Sequence, residues 1–190
     1  MTLSFLQLNI NADNYWDKLI PFLASHDFDV MQFQELTGKE TLVGNIHSTR
    51  DTFNELQKIL AEKYYGELSI TQRFTSNPDS YIGNGIFYRK SFSLVEKQSI
   101  TISEFEKFFP SDSKQFQRVG RALLHLVLKI EEKEVSFINT HFAWGENNIE
   151  KPFQTEQGKT LINYLKQVSH PFIFSADLNL TPDQPFIQKT

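Results

Sequence analysis

The sequence predicts an α+β fold in which two β-sheets pack as a sandwich flanked by helices. Three observations predict it. The chain opens with a strand, helix, strand unit. From about residue 65 onward, β-rich runs follow one another with turn chemistry between them, and near the end a helix is followed by a buried strand. Eighteen Phe, against two Met and no Cys in 190 residues, hand much of the packing to aromatic rings.

The elements follow in order. Residues 3–10 alternate Leu3, Phe5, Gln7 and Asn9 on one face with Ser4, Leu6, Leu8 and Ile10 on the other, the period of a strand. In residues 15–24, Tyr15, Trp16, Leu19, Ile20, Phe22 and Leu23 recur at helical spacing, with Asp13 or Asn14 as N-cap. Pro21 is expected to kink or shorten that helix. Residues 29–36 (DVMQFQEL) read as a second strand, parallel to the first. A helix is expected over 52–63, with Phe53, Leu56, Ile59 and Leu60 on one face. Strands are then expected over 65–74, 82–89, 92–102, 122–130 and 135–141, separated by turns such as Asn77-Pro78-Asp79 and the charged run 131–134. A helix over 153–167 and an apolar strand over 171–176 complete the series.

Length and the absence of repeats or linker-like tracts predict a single domain over residues 1–190. With no Cys, disulfide frameworks and thiolate metal sites are excluded. The net charge of -4 argues against a surface built to coat nucleic acid. The N-terminus has no basic leader, and no stretch approaches the roughly 20 apolar residues of a membrane span. A cytoplasmic protein is the expectation.

Four strands end in residues suited to a metal or a phosphate: Asn9 after Leu6-Gln-Leu, Glu35 after Phe33-Gln, His141 after Phe137-Ile-Asn-Thr, and Asp177 with Asn179 after Phe172-Ile-Phe-Ser-Ala. Strand ends of a packed sheet are rigid platforms for such groups. Each residue also has a plain reading. Glu at a strand end is more often a solvated side chain, Asn more often a turn residue, and a lone His more often a hydrogen-bonded structural one. Asp177 weighs more, because a carboxylate after so apolar a strand is costly unless it pairs or meets a cation. A set of carboxylates and amides without Cys suits Mg²⁺ or Mn²⁺.

Taken as an ordered series, LNI with Asn9, QE with Glu35, GNGIFYR with Asn84, GR with Arg121, NTH with His141 and DLN with Asp177 and Asn179 resembles the endonuclease/exonuclease/phosphatase superfamily. Deoxyribonuclease I, apurinic endonucleases, inositol phosphatases, sphingomyelinases and deadenylases share that fold. The resemblance runs from Leu3 to about Pro182. It implies a deoxyribonuclease I-like sandwich and a Mg²⁺-dependent (or Mn²⁺-dependent) phosphoesterase acting on a phosphomonoester or phosphodiester. Glu35 would bind the metal with help from Asn9, and Asp177 would orient or deprotonate the attacking water. Asn179 would support the phosphate, His141 would hydrogen-bond a non-bridging oxygen, and Arg121 would add fixed positive charge. Arg121 as a strand-edge salt-bridge partner, and Asn84 as a bulge or turn residue, remain open alternatives.

The family pattern continues past DLN through further strands to a terminal Asp-His pair, whereas the sequence ends at Thr190. The resemblance therefore implies a C-terminally incomplete fold, weakened turnover, and an open sheet edge through which copies could self-associate. A metal-dependent nuclease acting on DNA or RNA and a non-catalytic binding module of the same fold are the alternative readings. Specificity is expected in the loops 37–50, 103–117 and 143–154, where Phe142, Trp144 and Phe153 offer rings for stacking or for packing. Arg118 and Arg121 lie near the expected site, and no track of Lys or Arg leads away from it. The expected partner is thus a phosphorylated small molecule or a short single-stranded nucleic acid, bound with a shallow salt dependence.

Overall fold

Residues 2–43, 46–74, 77–103, 120–145 and 149–188 are described by the structure, a computed structural model. In chain order the elements are β1 (Phe5–Asn9), α1 (Trp16–Ala24), β2 (Val30–Thr37), β3 (Thr41–Val43), β4 (Ile46–Ser48), α2 (Thr52–Ile59), β5 (Tyr64–Phe74), β6 (Asn77–Arg89), β7 (Ser93–Ser103), β8 (Arg121–Ile130), β9 (Lys133–His141), α3 (Pro152–Leu165), β10 (Phe172–Asp177) and the single turn α4 (Pro185–Gln188). They build two four-stranded sheets, ordered β1-β2-β6-β5 and β10-β9-β8-β7, with β3 and β4 as a separate hairpin. Each large sheet holds one parallel pair at one margin, β1 with β2 and β9 with β10; the remaining pairings are antiparallel.

Strand alternation decides the layers. Leu6, Leu8 and Ile10 join Met31, Phe33, Leu36 and Phe87 on one face of the first sheet, packed against Trp16, Leu19 and Leu23 of α1 and Phe53 and Leu56 of α2. On its other face Phe5, Val30, Ile86 and Tyr88 meet Leu124, Leu126, Leu128 and Phe137 of the second sheet. Leu123, Ile138 and Phe142 then pack against Leu161 of α3 and Phe186 of α4. The result is helix, sheet, sheet, helix. Phe33, Phe87, Phe137 and Phe142 are all fully buried and anchor the core, whereas Phe22 and Phe172 are exposed. No helix among the described residues is long and apolar enough to cross a membrane.

Several local expectations are corrected. Neither Asp13 nor Asn14 caps α1; the N-cap is Tyr15, and the Asp13 carboxylate instead accepts from Thr49 N and Oγ1. Asn11 and Ala12 take left-handed backbone angles, φ 51 and 57, which turn the chain before the helix can start. Pro21 does not stop α1. It lies on the exposed face with Asp17, so water reaches the carbonyl left without its N–H partner. α2 ends at Ile59, short of residue 63, with Leu60 as its C-cap, and by Lys63 the backbone already pairs with Lys90 N at the start of the β5 and β6 pairing. Asn77 to Asp79 open β6 rather than forming a turn, with Asn77 opposite Phe74. The expected loop 37–50 contains the β3 and β4 hairpin. Arg118 and nearly all of the loop 103–117 lie outside the described residues.

A candidate active site at the carboxyl ends of two parallel strand pairs

Because β1 runs parallel to β2 and β9 to β10, each pair delivers two chain ends to the same edge of its sheet. Asn9 closes β1 beside Gln34, and His141 closes β9 directly opposite Asp177 of β10. The two sheets face each other, so residues 168 positions apart meet: Asn9 Nδ2 donates to Asp177 Oδ2 at 2.8 Å and to Glu35 Oε1 at 3.0 Å. The amide of Asn9 is fixed in turn by Asn11 N, which donates to its Oδ1 at 2.9 Å.

Glu35 reaches this point through a β-bulge. The β2 and β6 register is regular up to Phe33 opposite Gly85 and resumes at Leu36 opposite Gly83, so β2 carries one extra residue. Glu35 lies in the bulge with φ 59, a left-handed angle that costs a non-Gly residue on the order of 1–2 kcal/mol. The insertion puts both Phe33 and Leu36 on the helix-covered face and turns Glu35 toward the strand end.

Asp177 accepts from Asn179 N at 3.0 Å, while its backbone carbonyl takes Phe142 N at 2.9 Å. Asn179, at φ 51, donates through Nδ2 to His141 Nε2 at 2.9 Å and to the Phe142 carbonyl at 3.0 Å. The bond to the carbonyl identifies Nδ2 as the amide nitrogen, so His141 Nε2 is an acceptor and the neutral ring carries its proton on Nδ1. The same Nε2 lies 3.8 Å from Asp177 Oδ2 and 3.9 Å from Glu35 Oε1. Arg121 opens β8 almost fully buried, and its Nε has no hydrogen-bond partner. Asn84 lies deeper, 1% exposed, donating to the Ala122 carbonyl at 3.0 Å; it anchors the strand behind Arg121 and hydrogen-bonds none of the carboxylates.

Burial sets the charge states. It pushes the Glu35 carboxyl up, with the charge of Asp177 adding to the effect and Asn9 and Arg121 opposing it. It also acts to raise Asp177, but His141 when protonated, the Asn9 amide, Asn179 N–H and Arg121 outweigh it and hold that carboxyl below its usual range. Burial, reinforced by the neighbouring Arg121 charge, holds His141 well below the ordinary histidine value, so the ring is neutral. Arg121 is brought down to about 10 by burial and remains a cation at neutral pH.

The structure adds buried amides that the strand-end pattern did not reveal. From α3, Gln157 Oε1 accepts from Ala143 N at 3.0 Å and Gln154 Nε2 donates to the Ala143 carbonyl at 3.0 Å, clamping the chain just past His141. Two glutamines three apart on the same helix face as Leu161 were the available signal. Phe142 belongs to the core at 0% exposure and offers no stacking face, whereas Trp144 is 42% exposed. An open cleft of about 490 Å³ lies beside Asp177 and Asn179, bordered also by Gln7, Leu178, Leu180 and Ile187.

No family model and no curated protein matches the sequence. Solved structures do match in shape. A mannosyl-6-phosphatase of Bacteroides thetaiotaomicron aligns over 98% of this chain and 69% of its own, with TM-score 0.71 and 18% identity. The human Nocturnin catalytic domain with bound sulfate aligns over 98% and 67%, with TM-score 0.69 and 16% identity. D. rerio TDP2 complexed with a single-strand DNA product aligns over 94% and 61%, with TM-score 0.62 and 21% identity. Other structural neighbours are described as endonuclease/exonuclease/phosphatase family proteins. The chain has the deoxyribonuclease I-like fold of the endonuclease/exonuclease/phosphatase proteins and spans roughly two thirds of the length of these three structures.

Proposed function

We propose that the protein is a Mg²⁺- or Mn²⁺-dependent phosphoesterase that hydrolyses a phosphomonoester or phosphodiester with an activated water. One observation carries the reading: Glu35 and Asp177, from different sheets, converge on one Asn9 amide, with the buried Arg121 close enough for its charge to act on both carboxylates. Among the described residues no three Asp, Glu or His side chains form a ready-made metal cage. The donor set still fits a hard cation that keeps most of its waters, since such an ion needs only one or two carboxylates from the protein. Burial without a facing cation leaves Glu35 reluctant to ionise, and a divalent ion removes that reluctance. Glu35 would hold the ion with Asn9 beside it, and the ion would supply Lewis-acid charge at the phosphoryl oxygens.

The chain's own groups do the rest. Asp177, ionised and fixed by Asn9 and Asn179 N, would aim a water and accept its proton. Arg121, which forms no ion pair among the described residues, would supply positive charge to the phosphate, and preorganised charge in a buried site stabilises the developing oxyanion. His141 is oriented by Asn179, and an incoming phosphate would favour the protonated, donating ring. Three structural neighbours support phosphoester chemistry through what their own descriptions state: a phosphatase, a sulfate-bound catalytic domain and a complex with a DNA product.

The acidic balance and the lack of any Lys or Arg track leading from the site in the sequence favour a phosphorylated small molecule or a short single strand over duplex. The test sets p-nitrophenyl phosphate, bis-p-nitrophenyl phosphate, a short single-stranded oligonucleotide and a duplex side by side, with Mg²⁺, Mn²⁺ or EDTA, at several salt concentrations. Metal-dependent turnover of a small ester or the single strand is expected, with a salt slope of about one or two phosphate contacts. A steep slope with preference for duplex makes the protein a nuclease. Phosphate binding without turnover of any substrate supports the non-catalytic alternative.

A further inference from the structure

Between the sheets runs a chain of amides that the hydrolytic roles leave unused. Gln7 Nε2 donates to Gln34 Oε1 at 2.7 Å, and Gln34 Nε2 donates to Asn139 Oδ1 at 2.6 Å. Asn139 Nδ2 then spends both hydrogens on the first sheet, reaching the Phe33 carbonyl at 2.9 Å and the Gly85 carbonyl at 3.0 Å. Gln34 and Asn139 are both 0% exposed, packed in the same layer as the apolar residues Val30, Ile86, Leu124 and Phe137. A buried amide in apolar surroundings is costly unless satisfied, and here the satisfaction is specific to one place.

That place is the β-bulge. Phe33 and Gly85 are the last regular pair before β2 takes its extra residue, and a bulge leaves local backbone groups without ladder partners. Asn139, from the opposite sheet, takes the carbonyl of each strand at this last regular pair and the side chain of the next residue, Gln34. A hydrophobic residue at 139 could fill the volume but would leave the buried Gln34 amide without its acceptor and both carbonyls without the donor that ties them to the other sheet. The left-handed turn at Glu35 follows immediately, and a Cβ at Gly85 would press on Leu36 Cδ1, so a side chain there would displace the neighbour that closes the bulge.

We propose that Asn139 is a positioning residue for Glu35, locking the β2 bulge so that the Glu35 carboxylate projects to the metal end of the sandwich; its metal consequence rests on the function proposed above. The arrangement links the NTH stretch to the QE stretch by a physical route: His141 serves the site directly, and Asn139, two residues earlier on the same face of β9, serves it through the other sheet.

The test uses the whole chain and Mn²⁺ as probe, with affinity measured by titration calorimetry and the backbone amides of residues 33–36 and 84–86 followed by NMR. Asn139→Ala is expected to weaken Mn²⁺ binding roughly ten- to hundred-fold, as loss of a supporting partner to a metal ligand does. It should also shift the bulge amides selectively, and in a Glu35→Gln background it should weaken Mn²⁺ no further. Gln34→Met, which keeps both carbonyl bonds of Asn139, gives a smaller loss in the same direction and serves if the alanine variant does not fold. Unchanged Mn²⁺ affinity in both Asn139→Ala and Gln34→Met, with Glu35→Gln weakened, overturns the positioning role alone. If Glu35→Gln itself binds Mn²⁺ as tightly as wild type, the metal reading falls; the bulge amides then decide the positioning role, supported if they shift in Asn139→Ala and overturned if they do not.

Discussion

The two ends of β2 handle carboxylates in opposite ways. Just before its first residue, Asp29 accepts Ser4 N at 2.8 Å and Ser4 Oγ at 2.9 Å on one oxygen and Arg89 Nε at 2.8 Å on the other. Arg89 also reaches Asp27 at 2.7 Å. Burial acts to raise Asp29, but these partners outweigh it and the carboxyl is easier to ionise than usual. Near the other end, Glu35 receives one amide bond and only distant attraction from Arg121, and burial makes it harder to ionise. Asp29 adjoins the strand that carries Glu35, so the difference comes from what faces them. At the first end charge is neutralised by direct contacts; at the second it is gathered and left short of a cation, as a site that expects a ligand requires.

The largest effect that can break this comparison lies in turnover. Asp177→Asn keeps the shape of the site and removes the proton acceptor, so hydrolysis of bis-p-nitrophenyl phosphate is expected to fall by roughly 10²–10⁴-fold while the melting temperature stays almost unchanged. A parallel collapse of stability would mark Asp177 as structural.

Next comes Glu35→Gln, which should weaken Mn²⁺ binding by at least about tenfold and, without metal, make the fold more stable at neutral pH. The sign follows from linkage. The folded carboxyl titrates above its ordinary 4.5, so its contribution is complete below that value and lost as pH rises through the folded one. The advantage of the variant therefore grows above pH 4.5 and closes below it, as denaturation midpoints across pH will show. A variant that melts lower at pH 7.5 would mean Glu35 is already well paired.

A smaller effect concerns His125, whose Nδ1 meets Tyr164 OH at 2.7 Å while its Nε2 has no partner. Burial holds it below the ordinary 6.5. Stability is then full above that value and declines as pH falls from it toward the folded one, because the unfolded chain takes up the proton first. His125→Gln should flatten the decline between pH 6.5 and 5 in urea titrations, leaving a residual slope from His141. An unaltered slope assigns all of it to His141. The smallest effect is at the paired end: Arg89→Gln should cost about 0–1 kcal/mol, shrink further in high salt, and leave Mn²⁺ affinity untouched. Any loss of metal affinity there would show that the two ends are not independent.

Much of the fold was legible because strands and helices announce themselves in local spacing. The alternation through Leu6, Leu8 and Ile10, the helical recurrence from Trp16 to Leu23 and the apolar run before Asp177 all reappear as elements within a residue or two of their expected limits. The hairpin from Thr41 to Ser48 and the free passage of α1 through Pro21 were not legible, because they depend on pairing partners and on which face meets water. Of the candidate residues, Asn9, Glu35, His141, Asp177 and Asn179 are joined by hydrogen bonds or close approach, whereas Asn84 is held away at the Ala122 carbonyl.

Sequence alone determined that Asn9, His141 and Asp177 stand at the ends of their strands, since that follows from residue type and period along a few neighbouring positions. Tertiary structure decided that Asn9 and Asp177 share a hydrogen bond across 168 positions, that one extra residue in β2 aims Glu35, and that Phe142 is core while Trp144 is surface. It also decided which carboxyl ionises easily and which resists. Those outcomes depend on dielectric surroundings and on donors brought from another sheet, and no stretch of chain carries its own surroundings.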